Sequence, residues 1–348
     1  MHKFNIRRGL TLLLAAGICL VTLATTGAAG QSEGAVTPDS GLKAGQETPV
    51  RPAQAPASSV QEEEDTAQVE ARQRRAAALL ARQGVTGQQR EVLCARMGAD
   101  KDLFQRLEQG ELSKFELTWL GMANARPDRL DRYQAWLGEH PEDSEETAVF
   151  QVNMDMDQAF YSLIWEVADP ASLAVLVNKH YTLPAGYIPE LEALGKSYGA
   201  GSLRPEAAQA FRTMADAAKA DGISLRSVSA YRSYKTQRST YGRYLKLYKQ
   251  AAVDTFSARP GHSEHQTGLA LDINVASTKA HFENTPAFAW LKEHCAEYGF
   301  ILRYDLGKEA ITGYRFEPWH YRYVGVETAK AIMEQGLAYE EYLALQPN

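Results

Sequence analysis

The stretch GLALDINV, residues 268–275, constrains the fold of this chain more than any other. Leu269, Leu271, Ile273 and Val275 alternate with small or polar residues, the two-residue period of a strand with one buried face. A strand that buries those four side chains must turn Asp272 to the opposite face. Gly268 gives the backbone freedom to turn into the strand. Just before it, SARPGHSEHQT crowds Arg259, His262, Glu264 and His265 into one polar loop.

Such a strand needs neighbours, and the surrounding sequence supplies them. ISLRSVS, FILRY and WHYRYV read as further strands, and so do the apolar runs AVFQVNM and LAVLVNK. LRPEAAQAFRTMADAAKADG reads as a helix with Pro205 in its first turn and Gly222 at its end. YKTQRSTYGRYLKLYKQ, AFAWLKEHCAEYG, ETAKAIMEQG and YEEYLA read as helices too. The expected fold class is α+β, a small mixed sheet with flanking helices over 148–348.

The chain has 348 residues, enough for a second unit, and 45% of them are apolar, enough for a proper core. Short amphipathic segments over 67–147 predict an all-helical region. Residues 31–66 are rich in Pro, Ala, Ser and Gly and end in EEED, the composition of a disordered linker. Ahead of that, His2, Lys3, Arg7 and Arg8 precede the apolar run LTLLLAAGICLVTLA, and the small residues of TGAAG follow. Residues 1–30 therefore read as a signal peptide, or as an uncleaved signal anchor, and the working domain as extracytoplasmic, either secreted or anchored at the cell envelope.

The three cysteines, Cys19, Cys94 and Cys295, offer no disulfide framework. A net charge of −6 argues against a nucleic-acid partner.

His265 and Asp272 are seven positions apart, one in the polar loop and one on the polar face of the strand. An imidazole and a carboxylate are two good ligands for a borderline metal ion, and a catalytic zinc site takes three protein ligands with a position left for water. RFEPWHYRYVG holds a third candidate in His320, with Glu317 three residues before it as a possible base. Pro318 excludes a helix interior there, so the helical H-E-x-x-H arrangement is absent. On spacing alone a structural role stays open for all four, since a buried Asp often satisfies backbone N–H groups and a buried His often only packs.

SAYRSYKTQ, SARPGHSEHQTGLALDI and EPWHYRYVG, in that order, resemble the VanY-type D-alanyl-D-alanine carboxypeptidases, a metallopeptidase family that trims peptidoglycan stem peptides. The resemblance runs over roughly the last two hundred residues. It implies one Zn2+ per chain on His265, Asp272 and His320, with Glu317 as general base. It also implies that Arg232 faces the bound peptide, and that Gln237 and Ser263 are placed to hydrogen-bond its terminal carboxylate.

The implied substrate is a stem pentapeptide ending in D-alanyl-D-alanine. A tetrapeptide cut by an L,D-carboxypeptidase, or a non-catalytic wall-binding module, are the alternatives. Other conspicuous residues read as structural: His262 as a brace for its loop, Cys295 as a core thiol, Trp319, Tyr321 and Tyr323 as one packed face of a strand, and Tyr241, Tyr244 and Tyr248 as helix packing.

Overall fold

The computed structural model describes residues 57–275 and 281–347. The signal sequence expected at 1–30 and most of the linker expected at 31–66 lie outside the described residues. None of the described helices is long and apolar enough to cross a membrane. The chain divides into two compact units, Met1–Gly121 and Met122–Asn348.

The described part of the first unit is all helix: Ala57–Arg82, Gly87–Ala99, Lys101–Gln109 and Lys114–Leu120. Residues 57–66, expected in the linker, are thus helical. Local chemistry sets the breaks. Asp100 accepts the backbone N–H groups of Asp102 and Leu103, Gly110 ends its helix at a φ of 71°, and Ser113 with Glu116 forms a capping box. Leu80, Leu93, Met97, Leu107, Trp119 and Leu120 form the buried interior of this unit.

The second unit begins at Met122, well before the boundary expected at 147/148, because the helices Leu130–Glu139 and Glu145–Asn153 belong to it. Arg129 donates to the Val152 carbonyl at 2.7 Å and pairs with Asp155 at 3.1 Å, while Arg132 reaches Asp155 and Asp157. The AVFQVNM segment, expected as a strand, is the second of these helices. Ser144 caps it by accepting from Thr147 N, and Glu145 and Glu146 sit in its first turn.

LAVLVNK is not a strand either. The Leu173 and Val175 carbonyls accept from the Arg322 guanidinium, and Asn178 closes a turn by accepting from His180 N and Tyr181 N.

The remaining elements follow the sequence pattern. Four antiparallel strands form the main sheet in the order Arg226–Ser229, Ala270–Asn274, His320–Tyr323, Phe300–Leu302. Leu271 lies opposite Tyr321, and Asp272 opposite His320. One face, with Leu269, Leu271, Ile273 and Tyr321, packs on Phe211 and Met214 of the helix Pro205–Ala220 and on Leu291 of Pro286–His294. Cys295 is in that core, as expected, and Tyr323 packs against it, whereas Trp319 is 39% exposed.

The opposite face carries Asp272, His320, Arg322 and Ile301. Ile301 packs against Ala329, Ile332 and Tyr339 of the closing helices Val326–Gln335 and Tyr339–Leu345.

Candidate active site

The turn Glu264–Thr267, ended by Gly268 at a φ of 70°, delivers His265 to the polar face of the sheet. His265 Nδ1 lies 2.7 Å from the Ala230 carbonyl, so it carries the proton and donates, which leaves Nε2 with its lone pair 3.5 Å from Asp272 Oδ1. His320 is turned the other way. Its Nε2 lies 3.4 Å from Glu264 Oε2, and its Nδ1 lies 3.3 Å from the same Asp272 oxygen.

The ligand atoms of His265, Asp272 and His320 all lie within 4.8 Å of one another. Asp272 Oδ1 is buried and accepts no hydrogen bond. A buried carboxylate oxygen with an imidazole nitrogen on either side of it and no hydrogen bond of its own is well suited to a cation held among the three. Two imidazoles and one carboxylate are the donor set of an open zinc site, so the residues fit the ion. Burial alone would push the Asp272 carboxyl up, yet His265 and His320 hold it well below the ordinary carboxylate range.

Glu317 stands at the rim of this cluster. Its backbone N–H donates to the Tyr304 carbonyl at 3.0 Å, and its carboxylate lies 3.9 Å from His320 Nδ1. Burial, helped by the negative charge of Asp272, lifts its carboxyl from 4.5 to about 7. A carboxyl poised near neutrality within reach of a metal cluster can exchange a proton with a bound water.

Arg232 Nη2 comes to 3.9 Å from Asp272 Oδ2, and its backbone N–H donates to the His265 carbonyl at 3.1 Å. Its fork is fixed on two sides, by Gln237 Oε1 and by Ser229 Oγ, each at 2.9 Å.

Gln237 is therefore placed differently from the expectation that it faces a substrate. It is 1% exposed, with its oxygen on Arg232 and its amide donating to the Ala258 carbonyl at 2.7 Å. The amide holds the arginine. Ser263 is buried immediately before the turn that carries His265. His262 braces its loop as expected, through Nδ1 at 2.8 Å from the Asn178 carbonyl and an edge-on contact with Tyr161.

Sequence reasoning assigned nothing to Ser229 or Glu264. Ser229 could have been found from its place three residues before Arg232. No local pattern marks Glu264, because the arginines that hold it come from far along the chain, Arg303 just after the strand Phe300–Leu302 and Arg322 within His320–Tyr323.

Comparison with known proteins agrees with this geometry. Residues 200–326 match the family model VanY, D-alanyl-D-alanine carboxypeptidase. The putative carboxypeptidase YodJ of Bacillus subtilis is 42% identical over 193 residues, 51% of this chain and 68% of that protein. A D-alanyl-D-alanine carboxypeptidase of Enterococcus faecalis is 39% identical over 178 residues, 49% of this chain and 65% of that protein. The solved structure of the LD-carboxypeptidase LdcB superposes with a TM-score of 0.50 at 38% identity, over 53% of this chain and 91% of that one. The three ligand candidates, Glu317 and Arg232 all fall within the matched segment. The chain belongs to the VanY family of D-alanyl-D-alanine carboxypeptidases.

Proposed function

We propose that this protein removes the terminal D-alanine from peptidoglycan stem pentapeptides, as a D,D-carboxypeptidase with one zinc ion per chain, acting outside the cytoplasm. The observation that carries the reading is the convergence of His265, Asp272 and His320 within 4.8 Å, with Glu317 and Arg232 beside them. When bound, the ion polarises the scissile carbonyl and lowers the pKa of its water toward neutrality.

The remaining roles belong to the chain. His265 through Nε2, Asp272 through Oδ1 and His320 through Nδ1 are the proposed ligands, the two histidines each oriented by the contact on the other ring nitrogen. Glu317 takes a proton from the attacking water and delivers it to the leaving amine of the departing D-alanine. Arg232, braced by Gln237 and Ser229, presents the planar fork that pairs with a carboxylate or a developing oxyanion. Ser263, two residues before the first ligand, is the proposed contact for the substrate's end, whereas Gln237 acts through Arg232.

The D,D reading is supported by the family description and by the relative from Enterococcus faecalis. A second reading, an L,D-carboxypeptidase acting on stem tetrapeptides, is supported by the likeness to LdcB. Both substrates end in a free D-alanine carboxylate, so the same arginine serves either. The deciding measurement is kcat/KM on the two stems side by side. The proposal expects the pentapeptide to be preferred, and a tenfold preference for the tetrapeptide, about 1.4 kcal/mol in the transition state, overturns it.

A further inference from the structure

Behind the ligand cluster lies a group of four charges that catalysis does not use directly. Glu264, Arg303, Arg322 and Glu340 have side chains at most 1% exposed, and they balance as two negative and two positive charges. Arg303 donates from Nε to Glu264 Oε1 at 2.9 Å and from its two terminal nitrogens to Glu340 at 2.9 and 2.7 Å. Arg322 donates to the same Glu264 oxygen at 3.2 Å. Glu264 Oε1 is thereby saturated by two guanidinium groups, and Oε2 is left for His320 Nε2 at 3.4 Å. Glu340 is anchored in turn by Asn178 at 3.2 Å.

A buried ion cluster of this kind gives little net stability compared with apolar packing, so its presence calls for another use. Its geometry supplies one. An imidazole has two nitrogens, and which one faces a metal depends on what holds the other. Without a partner for Nε2, the His320 ring could flip or tilt, and Nδ1 would leave the point where it meets Asp272 Oδ1 at 3.3 Å.

On the reading that His265, Asp272 and His320 bind zinc, we propose that Glu264 is the positioning residue of the centre and that Glu340 acts with it through Arg303. Glu264 fixes His320 with Nδ1 forward, and the C-terminal helix Tyr339–Leu345 completes the centre by holding Arg303 in place. Glu340 lies beyond the segment that matches the family model, so the working site includes chain outside that match.

The test uses the full chain, with Glu264→Gln and Glu340→Gln beside the wild type. Zinc affinity is measured by competition with a chromogenic chelator, and the imidazole nitrogens of the zinc-loaded protein are observed by 15N–1H NMR. Loss of an outer carboxylate partner typically costs 10–100-fold in metal affinity. Glu264→Gln is expected in that range, and Glu340→Gln between it and the wild type. In the wild type, His320 should coordinate through Nδ1 and keep a slowly exchanging proton on Nε2. Coordination of His320 through Nε2 overturns the proposal, as does a folded Glu264→Gln protein that binds zinc within threefold of the wild type. If Glu264→Gln does not fold, the wild-type spectrum and Glu340→Gln decide. A wild type that binds no zinc overturns the reading of the site itself, a result distinct from both.

Discussion

Replacing Glu317 with Gln keeps the shape of the side chain and removes its basicity. The three ligand candidates are untouched, so zinc content should stay at the wild-type level. General-base catalysis is typically worth 10²–10⁴-fold, so kcat should fall by that factor, roughly 3–5 kcal/mol of barrier. The same burial that makes Glu317 useful should make it costly in the metal-free fold. Its carboxyl is raised from 4.5 to about 7, so between those values the folded state binds the proton that the unfolded state has released. Stability contributed by the protonated form is complete below pH 4.5 and is lost as pH rises through 7.

The side chain is only 13% exposed, so solvent screening removes little of this. Glu317→Gln should therefore stabilise the metal-free protein by up to ~3 kcal/mol at pH 8, and by almost nothing at pH 4.5. The assay pairs single-turnover release of D-alanine by the zinc-loaded enzyme with urea unfolding of the chelated protein at the two pH values. A mutant that retains more than a tenth of the rate would falsify the role of base, and equal stabilities at pH 8 would refute the buried, strained carboxyl.

Arg232→Lys should lower kcat/KM by about 10–100-fold despite keeping the charge, because an ammonium cannot make the two braced hydrogen bonds to Gln237 and Ser229 and still face a carboxylate; a change under threefold in steady-state kinetics refutes this. Chelation should abolish activity, and one equivalent of zinc should restore it, with elemental analysis checking the stoichiometry. A chain starting at Met122 should keep its hydrolysis of small soluble stem peptides. One starting at Ala148 should unfold at lower urea, since it loses Arg129 and Arg132 and their buried pairs with Asp155. Cys295 is fully buried and its thiol is pushed up to about 12, so iodoacetamide at pH 8 should leave it unmodified until the protein is denatured.

The parts of the fold that sequence made legible are those set by local period or local chemistry. Pro205 and Gly222 bracket a helix wherever it packs, and the alternation of 269–273 specifies a strand whatever its neighbours are. The runs AVFQVNM and LAVLVNK misled because apolar, β-branched residues fit a buried helix or an irregular segment as well as a strand. Ser144, Glu145 and Glu146 gave the helix signal for the first, and composition outweighed it. For the second, the deciding partner is Arg322, which accepts no local prediction because it is 147 positions away from Val175.

The same distance hid the function of Gln237 and of Glu264. The resemblance implied a substrate contact for Gln237, and the carbonyl of Ala258, 21 residues on, turns its amide inward. Glu264 sits beside a candidate ligand, yet its partners are 39 and 58 positions further along.

The approach of Asp272 to His320 in the proposed metal centre has its cause in the sheet. Asp272 and His320 are directly opposed cross-strand residues, so the gap between their ligand atoms is governed by strand spacing and register. Slipping the register by one residue would turn one ligand of the pair to the far face. What prevents the slip is the other face, where Leu271 and Tyr321 are paired and fully buried against the Pro205–Ala220 helix. The alternation that identifies the strand therefore also fixes the site, because the apolar residues that make the pattern readable are the ones that hold Asp272 against His320. A substitution such as Leu271→Ala should then loosen the metal site from behind, through a cavity on the core face typically worth 2–5 kcal/mol, without touching a ligand.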